Sequence, residues 1–208
     1  MGMRLFMVRH GESENNLKRI FTGWVDCPLT KKGYKDAESI RPFMSNFKFD
    51  KIYSSDLTRA YVTAKTVLPD YTPIKTALLR ECSVGSLGNT SVGSDTDCSE
   101  MLKQALKSHD YTPFGGESIE MVGQRLDEFL KEIEGQELEN VAAFAHSGVL
   151  LAMMYKVFGK HKVNATRRPN CCIAIFDYIN GSWMLSGYIC PDLLTLANNA
   201  ETGENDKF

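Results

Sequence analysis

The chain has no apolar run near the roughly 18 residues that a membrane helix requires, so nothing in it reads as a membrane span. Its six cysteines, at 27, 82, 98, 171, 172 and 190, include no Cys-x-x-Cys pair, and no candidate ligands have the close spacing of a structural zinc site. It also lacks an excess of either charge. Twenty-four basic and 26 acidic side chains leave a formal net charge of −2, which gives no global attraction to nucleic acid or anionic membranes. Any anion site must be a local cluster of positive groups. The opening Met1-Gly2-Met3-Arg4-Leu5-Phe6 has no signal-peptide layout. Phe6 also stands where the myristoylation pattern wants Ser or Thr. Reduced thiols in a cytoplasmic protein are therefore expected. No internal repeat or second-domain linker is visible.

What is present is ordinary globular composition, 43% hydrophobic and 24% charged over 208 residues. That suits one α/β domain, expected over residues 1–197, with a polar, frayed tail at 198–208. Met3 to Val8 is a short apolar run that stops at Arg9-His10-Gly11, a strand followed by a turn. Tyr34, Ala37, Ile40 and Met44 recur at helical spacing, with Thr30 as N-cap and Pro42 expected to bend the helix. Asp50 to Ser54 reads as a strand, and Leu57 to Leu68 as a helix ending at Pro69. A strand is expected around Ile74 to Leu78. Gly85 to Asp97, rich in Gly, Ser and Thr, reads as a mobile surface segment, and a short helix follows around Ser99 to Lys107. Ile119 to Ile133 is a clear amphipathic helix. Val141 to Ala145 is a strand buried on both faces, leading into an apolar helix from Val149 to Phe158. Asn180-Gly181 joins two final strands as a hairpin. Strands alternating with helices predict a three-layer α/β sandwich, a mostly parallel sheet with helices on both faces.

Ligands bind outside the carboxyl ends of strands in such sheets. Arg9-His10-Gly11 falls at one such end, Ser54-Ser55 with Arg59 at a second, and His146-Ser147-Gly148 at a third. Taken singly, His146 also reads as a satisfied core histidine and Arg59 as a solvated helix residue. Together they place two histidines and two arginines on one sheet edge beside helix N-termini, a set that suits phosphate. A histidine nucleophile needs an unprotonated ring nitrogen and a fixed tautomer. Arg9, Arg59 and His146 can neutralise a transferring phosphoryl group without a metal. A leaving alkoxide needs a proton, and Glu81 is the best-placed acid by position among many candidates.

These residues resemble the histidine phosphatase superfamily, which includes phosphoglycerate mutases and many phosphomonoesterases. Arg9-His10-Gly11-Glu12-Ser13-Glu14-Asn15-Asn16 and Phe21-Thr22-Gly23-Trp24-x-Asp26-x-Pro28-Leu29-Thr30 are similar to its opening signature. Tyr53-Ser54-Ser55-Asp56-Leu57-x-Arg59-Ala60, Gly115-Gly116-Glu117-Ser118 and Ala145-His146-Ser147-Gly148 resemble its later blocks. The resemblance implies a phosphoglycerate mutase-like fold and a phosphorylated His10, with Arg9, Arg59 and His146 completing the phosphate pocket. It implies phosphate or substrate contacts at Asn16, Thr22, Gly23 and Ser147, and a proton donor at Glu81 that later serves as base. No cofactor or metal is implied.

Mutases of the family usually carry Glu-Arg-His-Tyr-Gly and a longer basic lid. Here Glu81-Cys82-Ser83-Val84-Gly85 stands there, and the lid expected at 85–113 is short and not basic. Pro169-Asn170-Cys171-Cys172 is more similar to the phosphatase branch, whereas Asn15 stands where an aromatic residue is common. The expectation is a metal-independent phosphatase acting on a small phosphorylated metabolite. A 2,3-bisphosphoglycerate-primed mutase and a non-catalytic phospholigand-binding protein are the alternatives. Substrate recognition is expected in Gly85 to Pro113 and in Lys18, Arg19, Phe21 and Trp24. Oligomeric state is not specified by the sequence.

Overall fold

A computed structural model of the chain describes residues 2–92, 99–160, 163 and 167–191. Strand β1 (Met3–Arg9) is followed by the one-turn helix α1 (Glu14–Leu17), helix α2 (Lys31–Met44), strand β2 (Lys51–Ser55) and helix α3 (Thr58–Val67). Strand β3 (Ile74–Thr76), helix α4 (Glu100–Ser108), helix α5 (Ile119–Glu134), strand β4 (Asn140–Ala145), helix α6 (Ser147–Phe158) and the hairpin β5 (Ile173–Ile179) and β6 (Ser182–Ile189) complete the order. The six strands lie in the order β3-β2-β4-β1-β5-β6. Their first three pairings are parallel and the last two antiparallel. The expected mostly parallel sheet is therefore present, with an antiparallel hairpin on one flank.

Alternation along β1 explains why both faces are covered. Leu5 and Met7 join the core that holds Val122, Leu126 and Phe129 of α5 and Leu150 and Met153 of α6. Phe6 and Val8 point the other way, into the core with Ile40 and Met44 of α2 and Ala64 and Val67 of α3. Strand β4 divides likewise, with Val141, Ala143 and Ala145 on the first side and Ala142 and Phe144 on the second. Each large side chain buried this way contributes about 1.5–3 kcal/mol.

Local chemistry sets the element ends. Thr30 caps α2 by accepting the Gly33 N–H at 3.0 Å, Ser99 caps α4, and Ser118 caps α5. Pro42 lies in the last turn of α2, which ends two residues later. Asn180 and Gly181 both have positive φ, 52° and 78°, as the tight hairpin turn demands.

Three expectations need correction. Strand β3 stops at Thr76, not Leu78. Thr76 Oγ1 accepts the Leu78 N–H at 3.2 Å, which starts a 3-10 turn over Ala77–Leu79 that buries Leu79 and redirects the chain. Arg59 is not off the buried face of α3 but is 1% exposed within it. The described part of the Gly85–Asp97 segment is tied down rather than loose. It contains a 3-10 turn at Gly85–Leu87, and Asn89 and Val92 donate to the carbonyls of Phe21 and Arg19 at 2.9 and 2.8 Å. Residues 93–97 and the tail from 198 lie outside the described residues.

Candidate active site

Parallel pairing of β1 with β4 puts Arg9 opposite Ala145, so the residues after each strand, His10 and His146, emerge side by side. Their ring centroids are 5.0 Å apart in an edge-to-face arrangement. His10 is 3% exposed, and its Nδ1 lies 2.7 Å from the Gly11 carbonyl oxygen. A carbonyl only accepts, so Nδ1 carries the proton and Nε2 keeps its lone pair. Burial, followed by the positive fields of Arg59 and Arg9, holds the His10 pKa well below its ordinary value. His146 is lowered as strongly by burial, Arg59 and His10. Both rings are therefore neutral near pH 7.

The arginines are held by backbone carbonyls rather than by acids. Arg59 donates to Val25 O at 2.9 Å and Gly23 O at 2.8 Å, which clamps the loop after α1 against α3. Asp26 of the same loop accepts the Thr58 N–H at 2.9 Å at the start of α3. Arg9 donates to the Arg168 carbonyl. Burial lowers the pKa of both guanidiniums, though arginine stays protonated at any physiological pH. Arg9 Nε, Asn15 Nδ2 and both ring nitrogens of His146 are buried without a hydrogen-bond partner among the described residues. Orphaned polar atoms at this density are costly and mark a site built for a ligand.

A cavity of about 250 Å³ opens over these groups. Arg9, His10, Asn16, Thr22, Gly23, Arg59, Glu81 and Ser147, all expected at the site from sequence, line it. His146 lies beneath His10, fully buried. Asn16 Oδ1 is committed to the Ser13 N–H at 3.2 Å and to Asn170 Nδ2 at 3.3 Å, which turns its amide toward the cavity. Gly23 has φ +48°, and a Cβ there would sit 2.8 Å from Val84 N. Glycine is therefore required where the first loop meets the segment after Glu81. The Glu81 carboxylate reaches the N-terminus of α6, where Oε1 accepts the Gly148 N–H at 2.9 Å and the Cys82 N–H at 2.9 Å.

Some recognition residues expected from sequence lie elsewhere. Lys18 pairs with Glu14 on the surface at 3.2 Å, and Arg19 serves the loop backbone. Trp24 donates from Nε1 to the Glu81 carbonyl at 2.7 Å instead of facing the cavity. Phe21 does line it. His109 and Tyr111, within the expected 85–113 stretch, also line the cavity, as does Arg168, which sequence reasoning missed. His109 caps the end of α4 with φ 54°, and Arg168 Nε donates to Ser147 Oγ at 3.2 Å. Arg168 sits in no periodic pattern, so no sequence signal pointed to it. Among the described residues no group of three or more His, Cys, Asp or Glu side chains is arranged to hold a metal ion.

A neutral histidine with its Nε2 lone pair, two arginines and the acid Glu81 thus meet around one cavity. The sequence profile of the histidine phosphatase superfamily, branch 1, matches residues 5–190, and the chain belongs to that superfamily. It is 35% identical over 171 residues to the 2,3-bisphosphoglycerate-dependent phosphoglycerate mutase of Bartonella tribocorum, covering 76% of this chain and 83% of that one. Among solved structures, YhfR of Bacillus stearothermophilus superposes with a TM-score of 0.80 at 26% identity, covering 88% of this chain and 95% of that one. The mycobacterial glucosyl-3-phosphoglycerate phosphatase matches with a TM-score of 0.76 at 24% identity, covering 88% and 97%. The fold is thus the phosphoglycerate mutase-like α/β fold, shared by mutases and phosphatases.

Proposed function

We propose that the protein is a metal-independent phosphatase that hydrolyses a small phosphomonoester through a phosphohistidine on His10. His10 Nε2 attacks phosphorus, the ester P–O bond breaks, and Glu81 gives its proton to the departing alkoxide. Glu81, now a carboxylate, takes a proton from water as that water attacks phosphorus. The N–P bond then breaks, releasing inorganic phosphate and restoring neutral His10. Arg9, Arg59, Asn16 and His146 stabilise the equatorial oxygens, with Thr22, Gly23 and Ser147 shaping the same pocket. The non-catalytic alternative is disfavoured because all these groups are present together.

One observation carries hydrolase over mutase. The residues after Glu81, where mutases of the family carry Arg-His-Tyr, are here the uncharged Cys82, Ser83 and Val84, packed against Gly23 and Glu117. Burial pushes the Cys82 thiol up to about 12, so it carries no charge. No cation in this stretch can grip a carboxylate while the monophosphate is re-phosphorylated. The mutase reading is favoured instead by the 35% identity to a mutase. The ligand is read as a small phosphorylated metabolite, which a cavity of about 250 Å³ accommodates. A reducing cytoplasmic setting fits the free thiols of Cys27, Cys82, Cys171 and Cys172.

The experiment compares phosphate release from a panel of phosphomonoesters with 3- to 2-phosphoglycerate interconversion, with and without a bisphosphoglycerate primer. Hydrolysis is expected to exceed interconversion under both conditions. His10→Ala should abolish turnover, and labelled substrate should leave an acid-labile, base-stable adduct on wild type alone. Primer-dependent interconversion outpacing hydrolysis overturns the phosphatase assignment while leaving the His10 chemistry intact.

A further inference from the structure

Residues Arg80 to Val84 carry Glu81 into the cavity without belonging to any strand or helix. A proton donor on such a loop must be held from outside, because an error of about 1 Å in a reacting group costs up to about 10²-fold in rate. Arg125, on the face of α5 that reads from sequence as solvated, does the holding. Its Nε and NH2 grip the Glu117 carboxylate at 2.9 and 3.0 Å. NH1 donates to the Leu78 carbonyl at 2.8 Å, and NH2 also reaches the Glu81 carbonyl at 3.0 Å.

Glu117 closes the ring from the other side. Its Oε2 accepts the Ser83 N–H at 2.8 Å, and its own backbone N–H donates to the Ser83 carbonyl at 2.8 Å. One ion pair is thus bonded to the chain both at and before Glu81 and again two residues after it. Side-chain exposures of 13% and 12% keep solvent from loosening the pair. The two parallel bonds of a bidentate contact also fix its orientation. The backbones are in contact as well, since a Cβ on Gly116 would lie 2.3 Å from the Ser83 carbonyl oxygen. Neither Glu117 nor Arg125 lines the cavity, so neither touches substrate.

We propose that Arg125 and Glu117 are positioning residues that fix the Glu81 carboxylate at the leaving-group side of the site by gripping the loop backbone around it. The inference rests on the reading of Glu81 as general acid. It makes the pair part of the catalytic rate rather than only of the fold. An acid matters most when the leaving group is poor, so the signature is a dependence on the leaving group.

The test measures kcat and KM for wild type, Glu81→Gln, Arg125→Met, Arg125→Lys and the double variant Glu81→Gln with Arg125→Met. The substrates are an alkyl phosphate and p-nitrophenyl phosphate, and thermal unfolding is followed alongside. Arg125→Met is expected to lower kcat on the alkyl phosphate about 10- to 100-fold, with KM little changed and a much smaller loss on p-nitrophenyl phosphate. It should add nothing further in the Glu81→Gln background. Arg125→Lys keeps the charge without the planar fork and should recover part of the rate. Should Arg125→Met fail to fold, Arg125→Lys is judged by the same ratio of substrates. Equal losses on both substrates, or full additivity with Glu81→Gln, overturn the proposal. If Glu81→Gln itself shows no leaving-group dependence, the acid role fails. If Glu81→Gln shows it and the Arg125 variants do not, the brace alone fails.

Discussion

Each histidine of the site is kept neutral by its surroundings, and that has a signed cost. His10 and His146 are both held well below their ordinary pKa, whereas in the unfolded chain they titrate near about 6.5. Above that value neither state binds a proton and the two groups contribute no pH dependence. As pH falls from about 6.5 toward the depressed folded values, the unfolded chain takes up protons that the folded one refuses, so stability is lost. Urea unfolding in phosphate-free buffer should therefore show wild type losing stability between about pH 7 and 5.5. His146→Gln should lose less over the same window. Parallel slopes for the two proteins would mean that burial of His146 does not govern the effect. The same depression keeps His10 deprotonated in the catalytic range, so the acid limb of kcat/KM that belongs to it should lie below about pH 6.5.

Between elements, one demanding contact is where the turn after β1 crosses the start of α2. A Cβ on Gly33 would meet the Glu12 carbonyl oxygen at 2.1 Å, and one on Gly11 the Gly33 carbonyl oxygen at 2.5 Å. Gly33→Ala should destabilise by about 1–3 kcal/mol or more, because backbone on both sides must move. Gly123, inside α5 with nothing within 4 Å of a built Cβ, should instead gain about 0.5–1 kcal/mol as alanine. Chemical denaturation of the two variants checks the opposite signs. Much of this framework was legible in the sequence. The cap at Thr30, the buried run of β4 and the Asn180-Gly181 turn each follow from local chemistry. The phosphate-pocket residues were legible because strand ends are fixed by hydrophobic patterning, and patterning locates His10 and His146. What escaped was held by contacts distant in sequence. Arg59 reads as polar on a helical wheel yet is buried because its donors find the carbonyls of Gly23 and Val25. Arg125 was hidden among the acids and lysines of α5 for the same reason: its partners are Leu78, Glu81 and Glu117.

At the scale of the whole molecule, positive charge is gathered by topology rather than by composition. A net charge of −2 coexists with a cavity lined by Arg9, Arg59 and Arg168, so on the proposed mechanism a transferring phosphoryl group would meet three fixed cations. Activity should therefore persist in excess chelator, with rates unchanged on adding Mg²⁺ or Zn²⁺. Loss of activity to chelator and rescue by either ion would transfer the role of the arginines to a metal. The sheet order also bears on how the protein comes into being. Strand β1, which ends beside His10, is flanked by β4 and β5, made about 135 and 170 residues later in register with Arg4↔Asn140 and Met3↔Tyr178. During synthesis the strand made first waits unpaired on both edges until almost the whole chain has left the ribosome, and an unpaired edge invites pairing with a foreign chain. Arg9 gains its carbonyl partner only when Arg168 arrives. A nascent chain halted before β4 would thus expose the edges of β1 while still lacking Ser147 and Arg168 of the cavity wall.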